Sequence, residues 1–137
     1  MKNEDGFTLI EMLVVLGIIG LMTALVAPQV VGYLGRAKTD TAKAEIRNIG
    51  MAIDMFKLDT GRYPTGQEGL GILVSKPDRL ASWSGPYLKQ KTAPADPWGH
   101  AYVYRQPGQN GPYDLFTLGA DAQPGGSGEN QDVTNWQ

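Results

Sequence analysis

Three carboxylates share one glycine-rich stretch late in the chain: Asp121, Glu129 and Asp132, within GADAQPGGSGENQDV at residues 119–133. With Asn130 and the backbone carbonyls they offer hard oxygen donors, while Gly119, Gly125, Gly126 and Gly128 let the backbone turn around a centre. Calcium takes about 6–8 such oxygens in a flexible geometry. The spacing does not match the EF-hand pattern, so on these residues alone a solvated acidic loop is the simpler reading. Catalytic chemistry has less to stand on. His100 is the only histidine, and nothing marks a nucleophile or an orienting partner for it. Asp59, Asp96 and Asp114 read as a helix-end, a turn and a strand-edge residue, and no enzyme is expected.

A fourth carboxylate is conspicuous for where it stands. Glu11 interrupts an apolar run almost at its start, and the following MLVVLGIIGLMTALVA, residues 12–27, carries no charge. Together with residues 7–10 this approaches the ~20 apolar residues that span a bilayer core. An unpaired charge there costs about 2.5–3.5 kcal/mol on the mildest insertion scale. A cleaved signal peptide fits poorly, because MKNEDG has one lysine against two acids and Leu25 and Pro28 flank the candidate cut after Ala27. A plain transmembrane anchor fits the hydropathy but gives Glu11 no reason. A helix that packs against copies of itself gives it one, if a neighbouring copy supplies a cation. Gly17 and Gly20 would permit close helix approach, and Pro28 should kink or locally unwind the helix just before it.

The elements that must hold these residues follow from length and pattern. The 137 residues suit one domain plus this N-terminal segment, and a net charge of −2 without a Lys/Arg block argues against a nucleic-acid partner. There is no cysteine, which excludes thiol catalysis, Cys-ligated zinc and disulfides. Residues 33–59 form an amphipathic pattern, with Leu34, Ala42, Ile46, Ile49, Ile53 and Phe56 on one stripe. Only Pro28 interrupts the span from Phe7 to Asp59, which therefore reads as one kinked helix of ~50 residues and ~75 Å, its hydrophobic first half protruding. Thr60-Gly61-Arg62-Tyr63-Pro64 ends it. A short helix is expected at 67–74 and a structured loop at 75–91 held by Trp83 and Tyr87. Strands are expected at 101–105 and 113–118, followed by a long loop.

Gly6-Phe7-Thr8-Leu9-Ile10-Glu11 before an apolar run resembles the class III signal of type IV pilin-like proteins. LDTGRYPT at 58–65, Gly69-Leu70, YLK at 87–89, DPWG at 96–99, DLFTLGAD at 114–121, the Gly125-Gly126 pair and the closing Asn135-Trp136 extend the likeness over nearly the whole chain. Together they resemble the major pseudopilins of bacterial type II secretion systems. The resemblance implies an α+β fold: a long kinked N-terminal helix on a small antiparallel sheet, with a calcium-stapled C-terminal loop. It divides the chain into a leader peptide at 1–6, a transmembrane and assembly segment at 7–31, and a periplasmic globular domain at 32–137.

The same resemblance implies that a prepilin peptidase cuts between Gly6 and Phe7 and N-methylates Phe7. Glu11 would then pair with the new amine of Phe7 on a neighbouring copy, with Phe7, Glu11 and Pro28 serving assembly. It implies a calcium ion held by Asp121 with the Leu118 carbonyl beside it. The position two beyond the glycine pair, acidic in the family, is Gly128 here, so Glu129, Asn130 or Asp132 would take its place. The implied function is a structural subunit that polymerises into a periplasmic filament and supports export of folded proteins across the outer membrane. Its partners would be copies of itself, minor pseudopilins, the inner-membrane secretion platform and the membrane before assembly. It would sit single-pass in the inner membrane with its globular domain in the periplasm. A type IV pilin for adhesion or DNA uptake is the alternative, and an enzyme on a single anchor is a third reading.

Overall fold

One helix, α1 (Leu9–Thr60), takes up 52 residues of the computed structural model, which describes residues 6–137. Most of the expected leader, residues 1–5, lies outside the described residues. The helix stops where the sequence supplies a residue that tolerates a left-handed turn. Gly61 has φ +77° and donates its N–H to the Lys57 carbonyl at 2.8 Å. Pro28 lies inside α1, and the helical residues run through it without a break. The local unwinding expected there is absent: proline removes one hydrogen bond, to residue 24, and long helical flanks on both sides keep the backbone in register.

Two compact units divide the chain between Gly35 and Arg36. In the first, the helical side chains are exposed, Leu13 by 60% and Leu16 by 65% among them. This segment is long and apolar enough to cross a membrane. The second unit is built on the remaining part of α1. Ala42, Ile46, Ile49, Ile53 and Phe56 are buried there at alternating four- and three-residue spacing. Leu34, expected on this stripe, is 58% exposed. The buried phase continues instead through Thr39, on the neighbouring face of the helix.

Against this stripe stand a 3-10 helix (Gly69–Leu73) and a three-stranded antiparallel sheet in the order β1-β2-β3. The strands are β1 (Val103–Arg105), β2 (Asp114–Thr117) and β3 (Val133–Thr134). Tyr104 faces Leu115 and Phe116 faces Thr134 in the register, so Leu115 and Val133 join the core while Phe116 and Thr134 take the other face. β3 falls inside the stretch expected to be loop, because two residues give no alternation to read. Residues 75–91 are held as expected. The Trp83 indole N–H donates to the Ile72 carbonyl at 2.7 Å, and Tyr87 meets Phe56 and Trp83 edge-on. Asp114 is no edge residue: it opens the central strand and is buried, its carboxylate accepting the Gln109 and Asn110 N–H groups at 2.9 and 3.0 Å.

Candidate functional site

The helix start gives Glu11 a partner that sequence reasoning missed. Its Oε2 accepts both the Thr8 N–H and the Thr8 hydroxyl at 2.7 Å, while the Glu11 N–H reaches back to Thr8 Oγ1 at 3.3 Å. This is a reciprocal capping box, a Thr at the N-cap and a Glu three residues on. The T-x-x-E pattern was present in the sequence. The cap fixes the helix boundary, so Gly6, Phe7 and Thr8 lie outside α1 and Phe7 is 79% exposed. The Gly6–Phe7 bond is thus a non-helical, accessible peptide, and Pro28 lies well inside α1, exposed.

The C-terminal loop is organised around its backbone. All four glycines named above have positive φ, from 61° at Gly128 to 89° at Gly126. At Gly119 a Cβ would stand 2.6 Å from the Glu129 carbonyl oxygen, so no other residue fits where the two arms of the loop meet. Ala120 donates its N–H to that carbonyl at 2.8 Å. The start of the loop is tied to a distant turn. Thr117, buried, donates its hydroxyl to Asp96 Oδ2, and its oxygen accepts the Gly119 N–H at 3.2 Å. Asp96 Oδ1 accepts the Trp98 and His100 N–H groups at 3.1 and 2.8 Å. His100 Nδ1 stands 3.7 Å from Asp96 Oδ2, beside a structural turn with no nucleophile in it.

The expected ligands are brought together only in part. Asp121 accepts the Gln123 N–H at 3.1 Å, and Asp132 Oδ2 accepts the Gly125 N–H at 3.0 Å. Asp132 Oδ1 is buried without a hydrogen-bond partner, an orphaned anionic oxygen of the kind a cation satisfies. Leu118 and Asp132 line one cleft of about 280 Å³; Asp121, Gly128 and Glu129 do not. Among the described residues no three acidic or histidine side chains gather closely enough to hold a metal. The Gly128 carbonyl accepts the Gln131 N–H at 3.3 Å, and the Glu129 carbonyl is engaged by Ala120. The orphaned Asp132 oxygen in the cleft it shares with Leu118 is the feature that suits a calcium ion, and the loop does not fit a three-carboxylate centre.

Comparison with known proteins matches residues 29–136 to the family model described as type II secretion system (T2SS), protein G. The chain belongs to the type II secretion system protein G family. Residues 1–27 match the prokaryotic N-terminal methylation motif, which covers the Gly6–Phe7 bond, Glu11 and the apolar run. A relative named type II secretion system core protein G from Pseudomonas aeruginosa is 46% identical, over 98% of this chain and 96% of its own length. One of the same name from Vibrio cholerae is 42% identical, over 99% and 94%. The fold agrees with a solved structure, that of the major pseudopilin from the type 2 secretion system of enterohaemorrhagic Escherichia coli. The two share 32% identity and a TM-score of 0.63, over 77% of this chain and 92% of that one. The resemblance on which the α+β expectation rests is thereby upheld.

Proposed function

We propose that this chain is a structural subunit of a type II secretion pseudopilus. It is inserted singly in the inner membrane through residues 7–31, its globular part in the periplasm, and polymerises there to support export of folded proteins across the outer membrane. The observation that carries this is the match to relatives named type II secretion system core protein G along 98% of the chain. The match to the methylation motif supports cleavage by a prepilin peptidase between Gly6 and Phe7 with N-methylation of Phe7. The type IV pilin alternative is not favoured by these relatives. Copies of the chain itself, minor pseudopilins and the inner-membrane platform are its expected partners.

Glu11 supplies the physical logic of assembly. In the uncut chain its carboxylate is satisfied by Thr8, which lowers the cost of carrying it into an apolar setting. Cleavage creates a cationic amine at Phe7, four residues before Glu11 and just outside the start of α1. At that spacing the amine sits at the very tip, whereas two staggered copies bring amine and carboxylate together in low dielectric, where a pair matters most. In the C-terminal loop, Asp132 and the Leu118 carbonyl would hold calcium once Asp121 swings to join them, while the Gly128 and Glu129 carbonyls stay engaged by Gln131 and Ala120. Bound calcium would supply the cross-link that this cysteine-free chain lacks, stabilising the folded state by linkage.

The test is the mature chain itself. Mass spectrometry of the protein from cells should show loss of the first six residues and one added methyl, and Glu11→Ala should still insert but fail to form filaments. A Glu11→Ala chain that polymerises and supports secretion normally would sink the pairing mechanism.

A further inference from the structure

We propose that Asp96 and Thr117 are positioning residues for the calcium loop, setting from a turn 21 residues upstream where the loop's first ligands stand. This rests on the calcium reading above. The polarity of the chain of hydrogen bonds is forced. Asp96, fully buried in its side chain, is a carboxylate that can only accept, so the Thr117 hydroxyl must spend its hydrogen there. That leaves a hydroxyl lone pair for the Gly119 N–H at 3.2 Å. The other carboxylate oxygen is held by two backbone N–H groups of the 96–100 turn, so the hydroxyl is referred to a rigid frame.

Gly119 is the point at which this fixing has leverage. It is flanked in sequence by Leu118 and is two residues from Asp121, the first two residues expected to face the cation. A Cβ there would stand 2.6 Å from the Glu129 carbonyl oxygen and 2.9 Å from that of Gln131, so the returning arm is packed against it with no slack. Moving Gly119 moves both arms. Burying a carboxylate is costly unless its acceptors are all used, and an exposed aspartate would cap the 96–100 turn equally well. The Thr117 hydroxyl supplies the donor that the inner oxygen of Asp96 needs, beside the two turn N–H groups on the other. Groups that orient metal ligands without touching the metal carry about 10–100-fold in affinity.

The experiment uses the full chain in detergent micelles, titrated with calcium alone, with melting followed in calcium and in chelator. Thr117→Val keeps the side chain's shape and removes the hydroxyl. It should raise the calcium Kd by about 10–100-fold and abolish most of the calcium-induced rise in Tm. Thr117→Ser, which restores the hydroxyl, should recover both. Should Thr117→Val not fold, Asp96→Asn is read in the same way, since with its amide oxygen kept on the turn N–H groups it offers the hydroxyl a donor in place of the acceptor that fixes its orientation. An unchanged Kd in these variants, or an equal Tm loss with and without calcium, overturns the proposal in favour of a purely structural bond. Equal weakening in Thr117→Val and Thr117→Ser overturns it in favour of packing. A wild-type chain that binds no calcium overturns the calcium reading itself, and the proposal with it.

Discussion

Arg62 and Glu68 form a two-pronged pair, with Nη1 on Oε2 and Nη2 on Oε1, each at 2.8 Å. The carboxylate also accepts the Thr65 N–H at 2.8 Å, and Thr65 Oγ1 accepts the Glu68 N–H at 3.3 Å, closing a second capping box before the 3-10 helix. The link from α1's end to the core side chains Leu70, Ile72 and Leu73 is thus fixed electrostatically.

Acid should expose this pair. Hydrogen bonding from Arg62 lowers the Glu68 pKa to about 2, against the opposing effect of burial and with help from Thr65. The folded state therefore favours the charged form. Its contribution is fully present above the ordinary carboxylate value and is lost as pH falls from about 4.5 towards about 2. Both side chains are partly exposed, so the contribution is about 1 kcal/mol at most. Thermal unfolding across that window should show a smaller loss of Tm in Glu68→Gln than in the wild type. Parallel curves would refute the assignment.

Thr8→Ala should fray the first turn of α1 while leaving the charge of Glu11 in place. Losing an N-cap costs about 1 kcal/mol, which is about fivefold in local opening. Amide hydrogen exchange at Glu11 and Met12, whose N–H groups bond to Thr8, reads this directly when measured in micelles. Glu11→Gln keeps an acceptor for Thr8 and should exchange nearly as slowly as the wild type, yet it should fail in assembly. Equal exchange in Thr8→Ala and wild type would remove the cap from the account.

Two substitutions on neighbouring faces of α1 should separate packing from exposure. Ile53→Ala opens a cavity at a fully buried position and should cost about 2–5 kcal/mol in denaturant unfolding. Leu34→Ala, at a side chain 58% exposed, should stay within about 0.5 kcal/mol. A large loss at Leu34 would mean that its face is covered in the folded monomer.

How far the sequence spoke depended on the range of each interaction. Periodicity located α1 and its buried isoleucines because the signal lies within a few turns. It misplaced Leu34 because hydropathy favours a large side chain over Thr39, although Thr39 sits on the buried phase. Pro28 predicted unwinding by a local rule that the flanking helix overrode. Trp83 and Tyr87 were legible as packing groups from size alone. The bond between Asp96 and Thr117 was not, because nothing local marks two polar residues that meet only after the sheet forms. The T-x-x-E cap is legible, because a Thr and a Glu three residues apart before an apolar run lie within one turn. In the loop, glycine content foretold the turning backbone, but the sequence could not show that the three acids fail to gather.

Within the globular unit the buried face of α1 grows along its length, from Thr39 and Ala42 to Ile46, Ile49, Ile53 and Phe56. Adhesion between this helix and the body of the globular unit therefore rises turn by turn, since larger side chains remove more apolar area from water. A pull applied through the apolar end meets its weakest grip first and its strongest last. Under load the contacts of Thr39 and Ala42 should give first, leaving the isoleucines and Phe56 as the last hold on the unit.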